Sequence, residues 1–476
     1  MRLRLLLAPL LLVACKTRGI ETISGPNADV TLTVVNPTTC SDCDPLDEVD
    51  ALRLDVIRPE TGEILASSTV PWPGDLPSLP DLDGFGVVRA ELTGLNGSRI
   101  VSIGRTPPFV VQPGNPSNVS MLFLPANRPI PLTAELSVER SRHLAYTRLD
   151  GRIALIGGVD PTGGQRYDST EVYDPGAHTF SLDTVATLIP IAPAIALEQD
   201  GDLLLVGGAS SSGSRLSNSW VYALSGEGEQ GTMTAQSDLS MPRSGACIGL
   251  AGPQKGAVMG GVDTQDGTTM VDIIRFGTTT WTFESVGVQG LDNRDVRGCV
   301  GVDDGRVFVL GADAASTGFF SYPDEGAVAF TAISSGGNDP FVGSATLVSR
   351  DGLVWIVGGE TDGRVQAGTW LLDPASARFS EGPTLAQARV RATVTRWIDP
   401  TLEAVGCGWS DASETAGSDS VELVDLGAGT VLEVPLDRER SGCAMSVLAD
   451  GALLITGGFG PNDVGQVGAV LVVPAI

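Results

Sequence analysis

The sequence predicts an all-β protein in two parts: a large body of seven repeated four-stranded units and, ahead of it, a smaller β-sandwich. Three observations lead there. Gly accounts for 60 of 476 residues without a collagen-like period, so many tight turns between short strands are expected. A pattern of hairpin turn, apolar strand and small-residue doublet returns seven times, at intervals of about fifty residues. Alternating apolar runs that do not keep this period precede it.

The repeat runs from Asp150-Gly151 to Gly157-Gly158, Asp200-Gly201 to Gly207-Gly208, Lys255-Gly256 to Gly260-Gly261 and Asp304-Gly305 to Gly311-Ala312. It continues from Asp351-Gly352 to Gly358-Gly359, Asp399-Pro400 to Gly406-Cys407 and Asp450-Gly451 to Gly457-Gly458. Asp-Gly between apolar runs suits a two-residue hairpin, whose turn needs positive φ. The doublet marks a bend or the close approach of another backbone. A third strand follows, as at 170–174 and 421–425, and a fourth often carries an aromatic: Phe180, Trp281, Phe330 or Phe379. Four short strands make one blade, so residues 131–476 read as a seven-bladed β-propeller. The third strand of repeat seven, at 469–473, has no fourth after it. Residues 132–136 precede Glu139-Arg140-Ser141 just as 432–436 precede Glu439-Arg440-Ser441. The strand near 132–136 is therefore expected to complete the last blade and cover an open edge.

With these motifs in place the body resembles the kelch family, whose repeat reads Asp-Gly, apolar strand, Gly-Gly, then Tyr and Trp. The first repeat matches best, with Gly157-Gly158, Tyr173-Asp174-Pro175 and Phe180; repeats four and six depart at the doublet. The resemblance implies a propeller like the central domain of galactose oxidase.

Residues 29–125 carry apolar runs at 30–34, 52–56, 100–103 and 119–124, separated by turns at 71–80 and Pro107-Pro108. They read as a small antiparallel β-sandwich, immunoglobulin-like or transthyretin-like. Residues 1–14 read as a targeting segment: Arg2 and Arg4, then an apolar run at 5–13, far short of the roughly twenty residues that span a bilayer. The run ends Leu12-Val13-Ala14-Cys15, which resembles the bacterial lipobox. That resemblance implies lipidation of Cys15 after cleavage, with 15–28 as lipidated cysteine and tether. Lys16 resembles the sorting signal of outer-membrane lipoproteins. The expected location is the cell envelope, on its periplasmic or surface face, with the membrane contacted by the lipid anchor only.

Setting Cys15 aside leaves six cysteines in an oxidising compartment. Cys40 and Cys43 read as a disulfide closing a short loop. Cys247, Cys299 and Cys443 fall on first strands and read as small buried apolar residues.

A net charge of −27 repels phosphate backbones, so no nucleic acid is expected as partner. His143 and His178 are the only histidines, and no Gly-x-Ser-x-Gly occurs. His143 reads as a core position near the propeller axis. A Ser-His-Asp relay is not expected, nor the copper site of galactose oxidase with its two His and two Tyr, and no metal or cofactor is assigned. The Asp-box of sialidases is absent. Residues 226–231 match Gly-x-Gly-x-x-Gly but lie between strands and carry two carboxylates, so they read as a loop. Asp81 to Gly84 and Asp263 to Gly267 do not complete a calcium loop.

One constellation remains. Arg140, Arg243, Arg389 and Arg440 each stand 17 residues ahead of their doublet, and Arg297 stands 14 ahead of its own. Asp160, Asp263, Asp313 and Glu360 follow doublets. Up-and-down strands bring both sets to one mouth of the propeller. They read either as ion pairs within repeats that steady loops, or as a charged ring for a polar ligand such as a carboxylated sugar or a peptide. The functional expectation is a monomeric binding module for a protein, peptide or glycan rather than an enzyme. The alternative is a carbohydrate-active enzyme resembling periplasmic kelch epimerases of sialic acid.

Overall fold

A computed structural model of the chain describes residues 22–24, 30–35, 40 and 43–475, less 83, 112–116, 161–164, 185–188, 191, 198–201, 211, 225–230, 251–253, 262–269, 278–280, 293–294, 324–327, 334–342, 344, 461–463 and 466–467. Cys15, Asp263 and the loop at 226–230 lie outside the described residues, as does the expected tether except for Thr22–Ser24, which is a strand of the first sheet. The chain divides into two compact units, the second running from Asn127 to Pro474.

In the first unit, eight strands form one hydrogen-bonded sheet. Its path runs Thr22–Ser24, Val30–Val35, Ser117–Pro125, Arg99–Arg105, Val87–Asn96, Ala51–Ile57, Ile64–Pro71, with Phe109–Val110 paired off the path. The sheet curls around a core of Leu32, Leu52, Leu54, Val56, Val88, Leu92, Met121 and Phe123. Period-two alternation puts these side chains on one face. Cys40 and Cys43 form a disulfide ahead of Ala51–Ile57.

The second unit is a seven-bladed propeller without a helix among the described residues. The innermost strands of blades 1 to 7 are Leu144–Thr147, Ala194–Leu197, Cys247–Leu250, Val296–Gly301, Thr346–Arg350, Thr393–Arg396 and Ala444–Val447. Neighbouring inner strands touch around the axis, and Leu144–Thr147 meets Ala444–Val447 to complete the circle. Blade 7 takes its outer strand from ahead of blade 1: Pro129–Glu135 pairs with Gly468–Val472, Ile130 opposite Leu471 and Glu135 opposite Gly468. The second strands, such as Ile153–Ile156 and Leu203–Val206, are buried throughout, because each is covered by blades on both sides.

Two local readings are corrected. Among the described Asp-Gly turns, only Asp351-Gly352 is a two-residue hairpin, both residues having positive φ. At Gly151, Gly305 and Gly451 the glycine alone is left-handed, and its N–H donates to the carbonyl three residues back, to Arg148, Val302 and Leu448. This is the longer hairpin with a glycine bulge. In blade 6 the left-handed pair is Cys407-Gly408, one residue later than the Gly406-Cys407 doublet.

Candidate functional site

The doublets explain what the repeat-phased arginines do. The N–H groups of Gly208, Gly359 and Gly458 donate to the carbonyls of Arg243, Arg389 and Arg140, each in the following blade. A Cβ on Gly457 would stand 2.2 Å from the Arg140 oxygen, so the contact requires glycine. The side chain of each arginine turns the other way, into its own blade. Arg140 donates to the carbonyls of Gly157 and Ser169 and to Glu171, and Arg243 to Gly260, Met270 and Asp272. Arg389 reaches Ser420 and Glu422 in the same manner. The carboxylate in turn accepts the N–H three residues ahead of its arginine: Ser137 on Glu171, Ser240 on Asp272, Ala386 on Glu422. Blade 7 has no acid on its third strand, and Arg440 pairs with Asp437 instead.

These four guanidiniums are therefore clasps within their own blades, at most 2% exposed, and the backbone carbonyls of Arg140, Arg243 and Arg389 make the link to the preceding blade. A ring of Arg140, Arg243, Arg389 and Arg440 facing a ligand is corrected: each guanidinium is sealed inside the fold against carbonyls and an acid, where a solute cannot reach it. Burial pulls each arginine below its usual pKa, and its acid partner opposes that shift. Among the described residues, the carboxylates after the doublets are engaged by their own loops. Asp160 accepts the N–H of Gln165, Asp313 that of Ser316 and Glu360 that of Gly363, each capping its own loop. Arg297 alone of the set is exposed. It is the extra residue of a bulge between Val296 and Gly298.

The cysteine reading is also corrected. Cys247 and Cys299 form a disulfide between the inner strands of blades 3 and 4, and Cys407 and Cys443 form one between blades 6 and 7. For Cys247 and Cys299, 52 residues apart, consecutive blades bring equivalent first-strand positions together at the axis; Cys407, at the blade 6 doublet, instead meets Cys443 at the entry to the next inner strand.

A different group of side chains occupies the mouth. Two residues beyond the clasp arginine the backbone is left-handed in blades 1, 2, 3, 6 and 7, at Arg142, Ala192, Gly245, Arg391 and Gly442. Glycine suits this slot, and arginine fills it twice, at φ of 55° and 50°. Both arginines meet Glu414, from the loop after the blade 6 doublet and itself at φ 56°. Arg142 Nη2 lies 3.1 Å from Glu414 Oε2, and Arg391 Nε 2.6 Å from Oε1. The Arg142 guanidinium also lies 5.1 Å from the ring centre of buried Trp409. Asp411 fixes the loop through the N–H groups of Thr415 and Ala416. The two arginines are about half exposed, 46% and 54%.

The inner strands led by Arg142, Arg391 and Gly442 also line a cavity of about 540 Å³. Thr147, Thr393, Thr395 and Ser446 bring hydroxyls to it, and Arg396 brings a cation. In a chain of net charge −27, the seven inner strands carry Arg297, Arg350 and Arg396 and no carboxylate among the described residues. Arg350 and Arg396 both donate to buried Glu403 on the next strand. The sequence signal for the mouth was Arg-Ser-Arg at 140–142 and Arg-Val-Arg at 389–391, where the second arginine replaces the Gly of Arg-Ser-Gly at 243–245 and 440–442.

No protein-family model matches the chain, and no curated protein matches it. A similar solved structure is described as a novel fungal alcohol oxidase with catalytic diversity among the AA5 family, in complex with copper. It is 17% identical with a TM-score of 0.59, over 72% of this chain and 75% of that one. The likeness is one of fold alone. The residues present here do not form a comparable copper donor set. His143 is buried against Thr456, its Nε2 2.9 Å from Oγ1, while His178 sits in an outer hairpin with Nδ1 2.8 Å from the Tyr173 hydroxyl. No group of three metal-binding side chains occurs among the described residues.

Proposed function

We propose that this chain is a cell-envelope lipoprotein whose propeller binds an acidic saccharide at the mouth formed by blades 1, 6 and 7. The observation that carries the reading is the pair Arg142 and Arg391, half exposed, in backbone slots that favour glycine. Strain held at a solvent-facing cation is what ligand clamps show. The hydroxyl-lined cavity against the same strands suits a polyhydroxylated ligand, and the aromatic face of Trp409 borders the cations. The clamp offers cations and the cavity further along the same strands offers hydroxyls, groups that suit holding a polar ligand.

The envelope location rests on the lipobox-like residues 12–15 and on the cysteines. Six of seven are joined in disulfides, as an oxidising compartment allows, and the seventh is Cys15.

A glycan array carrying uronate and sialic acid oligosaccharides beside their neutral counterparts tests the ligand class. The full chain should retain acidic members, and Arg142→Ala with Arg391→Ala should lose them by more than tenfold. Retention by the double variant, or preference for neutral glycans or acidic peptides, would sink the reading. Cys15→Ser should shift the protein from the membrane to the soluble fraction.

A further inference from the structure

The geometry points to Glu414 as an internal stand-in for the ligand's carboxylate: it occupies the Arg142–Arg391 clamp in the free protein and is displaced on binding. This rests on the binding reading above and names the group that is recognised. Each Glu414 oxygen is taken by a different arginine, Oε2 by Arg142 and Oε1 by Arg391. The two guanidiniums are thus spaced for the two oxygens of one planar carboxylate, and that seat is already demonstrated by an occupant. Two positive charges face one negative charge, so the clamp keeps an excess of one while Glu414 fills it.

Energetics make stability a poor explanation for the arrangement. Glu414 and the two arginines it joins all adopt left-handed backbones, which a side chain with a Cβ disfavours. The ion pairs they make are partly solvated and weak. Strain spent on weak surface pairs fits a site held for recognition. The same weakness makes Glu414 easy to displace. Its loop is fixed independently by Asp411, so the side chain can swing away while the backbone stays.

A carboxylate bound intramolecularly lowers the apparent affinity for a carboxylate in solution by the fraction of clamps left open. Removing it should therefore strengthen binding, which a merely structural residue would not do. The experiment titrates D-glucuronate and glucose 6-sulfate into the full chain and into Glu414→Gln and Glu414→Gly, by calorimetry or ligand-observed NMR. Glycine accepts the left-handed backbone, so the second variant keeps the loop even if the first disturbs it. We expect glucuronate to bind about fivefold to tenfold tighter to Glu414→Gly than to the natural chain. Glucose 6-sulfate should bind more weakly than glucuronate throughout. Equal or weaker glucuronate binding by both Glu414 variants overturns the displacement, as does equal affinity for the sulfate. If the Arg142→Ala, Arg391→Ala double variant binds glucuronate as well as the natural chain, the binding site itself is wrong. Absence of binding in every form overturns both.

Discussion

Arg140 and Arg142 stand two positions apart and do opposite things. The first is sealed between Gly157, Ser169 and Glu171; the second reaches Glu414 and the face of Trp409. The left-handed turn at Arg142 separates them, because it reverses the direction in which the next side chain leaves the backbone. His143 follows at once and is packed between the doublets of blades 1 and 7. Burial, and then the charge of Arg140, push its pKa down from 6.5 to about 3. The unfolded chain takes up a proton near pH 6.5, whereas the folded chain does so only near 3. Stability that is present above 6.5 is therefore lost as pH falls through this window, with a limiting slope of about 1.4 kcal/mol per unit. His143→Gln should flatten that part of the profile. Urea midpoints of both proteins between pH 7 and 4 measure it, and parallel profiles would refute a neutral buried ring.

At the scale of elements, blades lean on their neighbours through main-chain contacts at doublets, and two disulfides join blade 3 to 4 and blade 6 to 7. The Cys247–Cys299 bond closes a separation of 52 residues. Cys247→Ala with Cys299→Ala should lower unfolding free energy by roughly 2–4 kcal/mol, read from guanidinium titration. A cost below about 0.5 kcal/mol would mean the inner strands are held without it. The blades were legible because Asp-Gly and Gly-Gly have backbone requirements that few other residues meet. The clasps were not, because a phased arginine can belong to a surface ring or to a buried pair. The acid partner decides, and it lies in the same repeat: Glu171, Asp272 and Glu422 stand mid-strand in three of the four blades that have the arginine. Blade 2 has Pro190 and Trp220 at those two positions. The disulfides escaped notice because pairing depends on which strands meet at the axis, a relation between repeats rather than within one. Arg142 and Arg391 escaped because their special feature is a φ angle, visible in sequence only by comparison with Gly245 and Gly442.

For the whole molecule the decisive joint is blade 7, assembled from residues at both ends of the propeller. Ile130, fully buried opposite Leu471, is its keystone. Ile130→Asp places a charge in that sheet and should open the circle, leaving Gly468–Val472 as an unpaired edge. Size-exclusion chromatography and thermal unfolding should then show association and a broad transition where the natural chain gives one species and one step. A monodisperse, cooperatively unfolding variant would mean that closure does not depend on this strand. The same joint has a mechanical side. The chain passes from the first unit to the second at Ala126 and Asn127, where the Asn127 N–H holds the Val473 carbonyl just before Pro129–Glu135 joins its sheet. Under the proposed anchoring and binding, tension between the amino terminus and the ligand would run along that strand, and the hydrogen bonds that close the circle would bear the load.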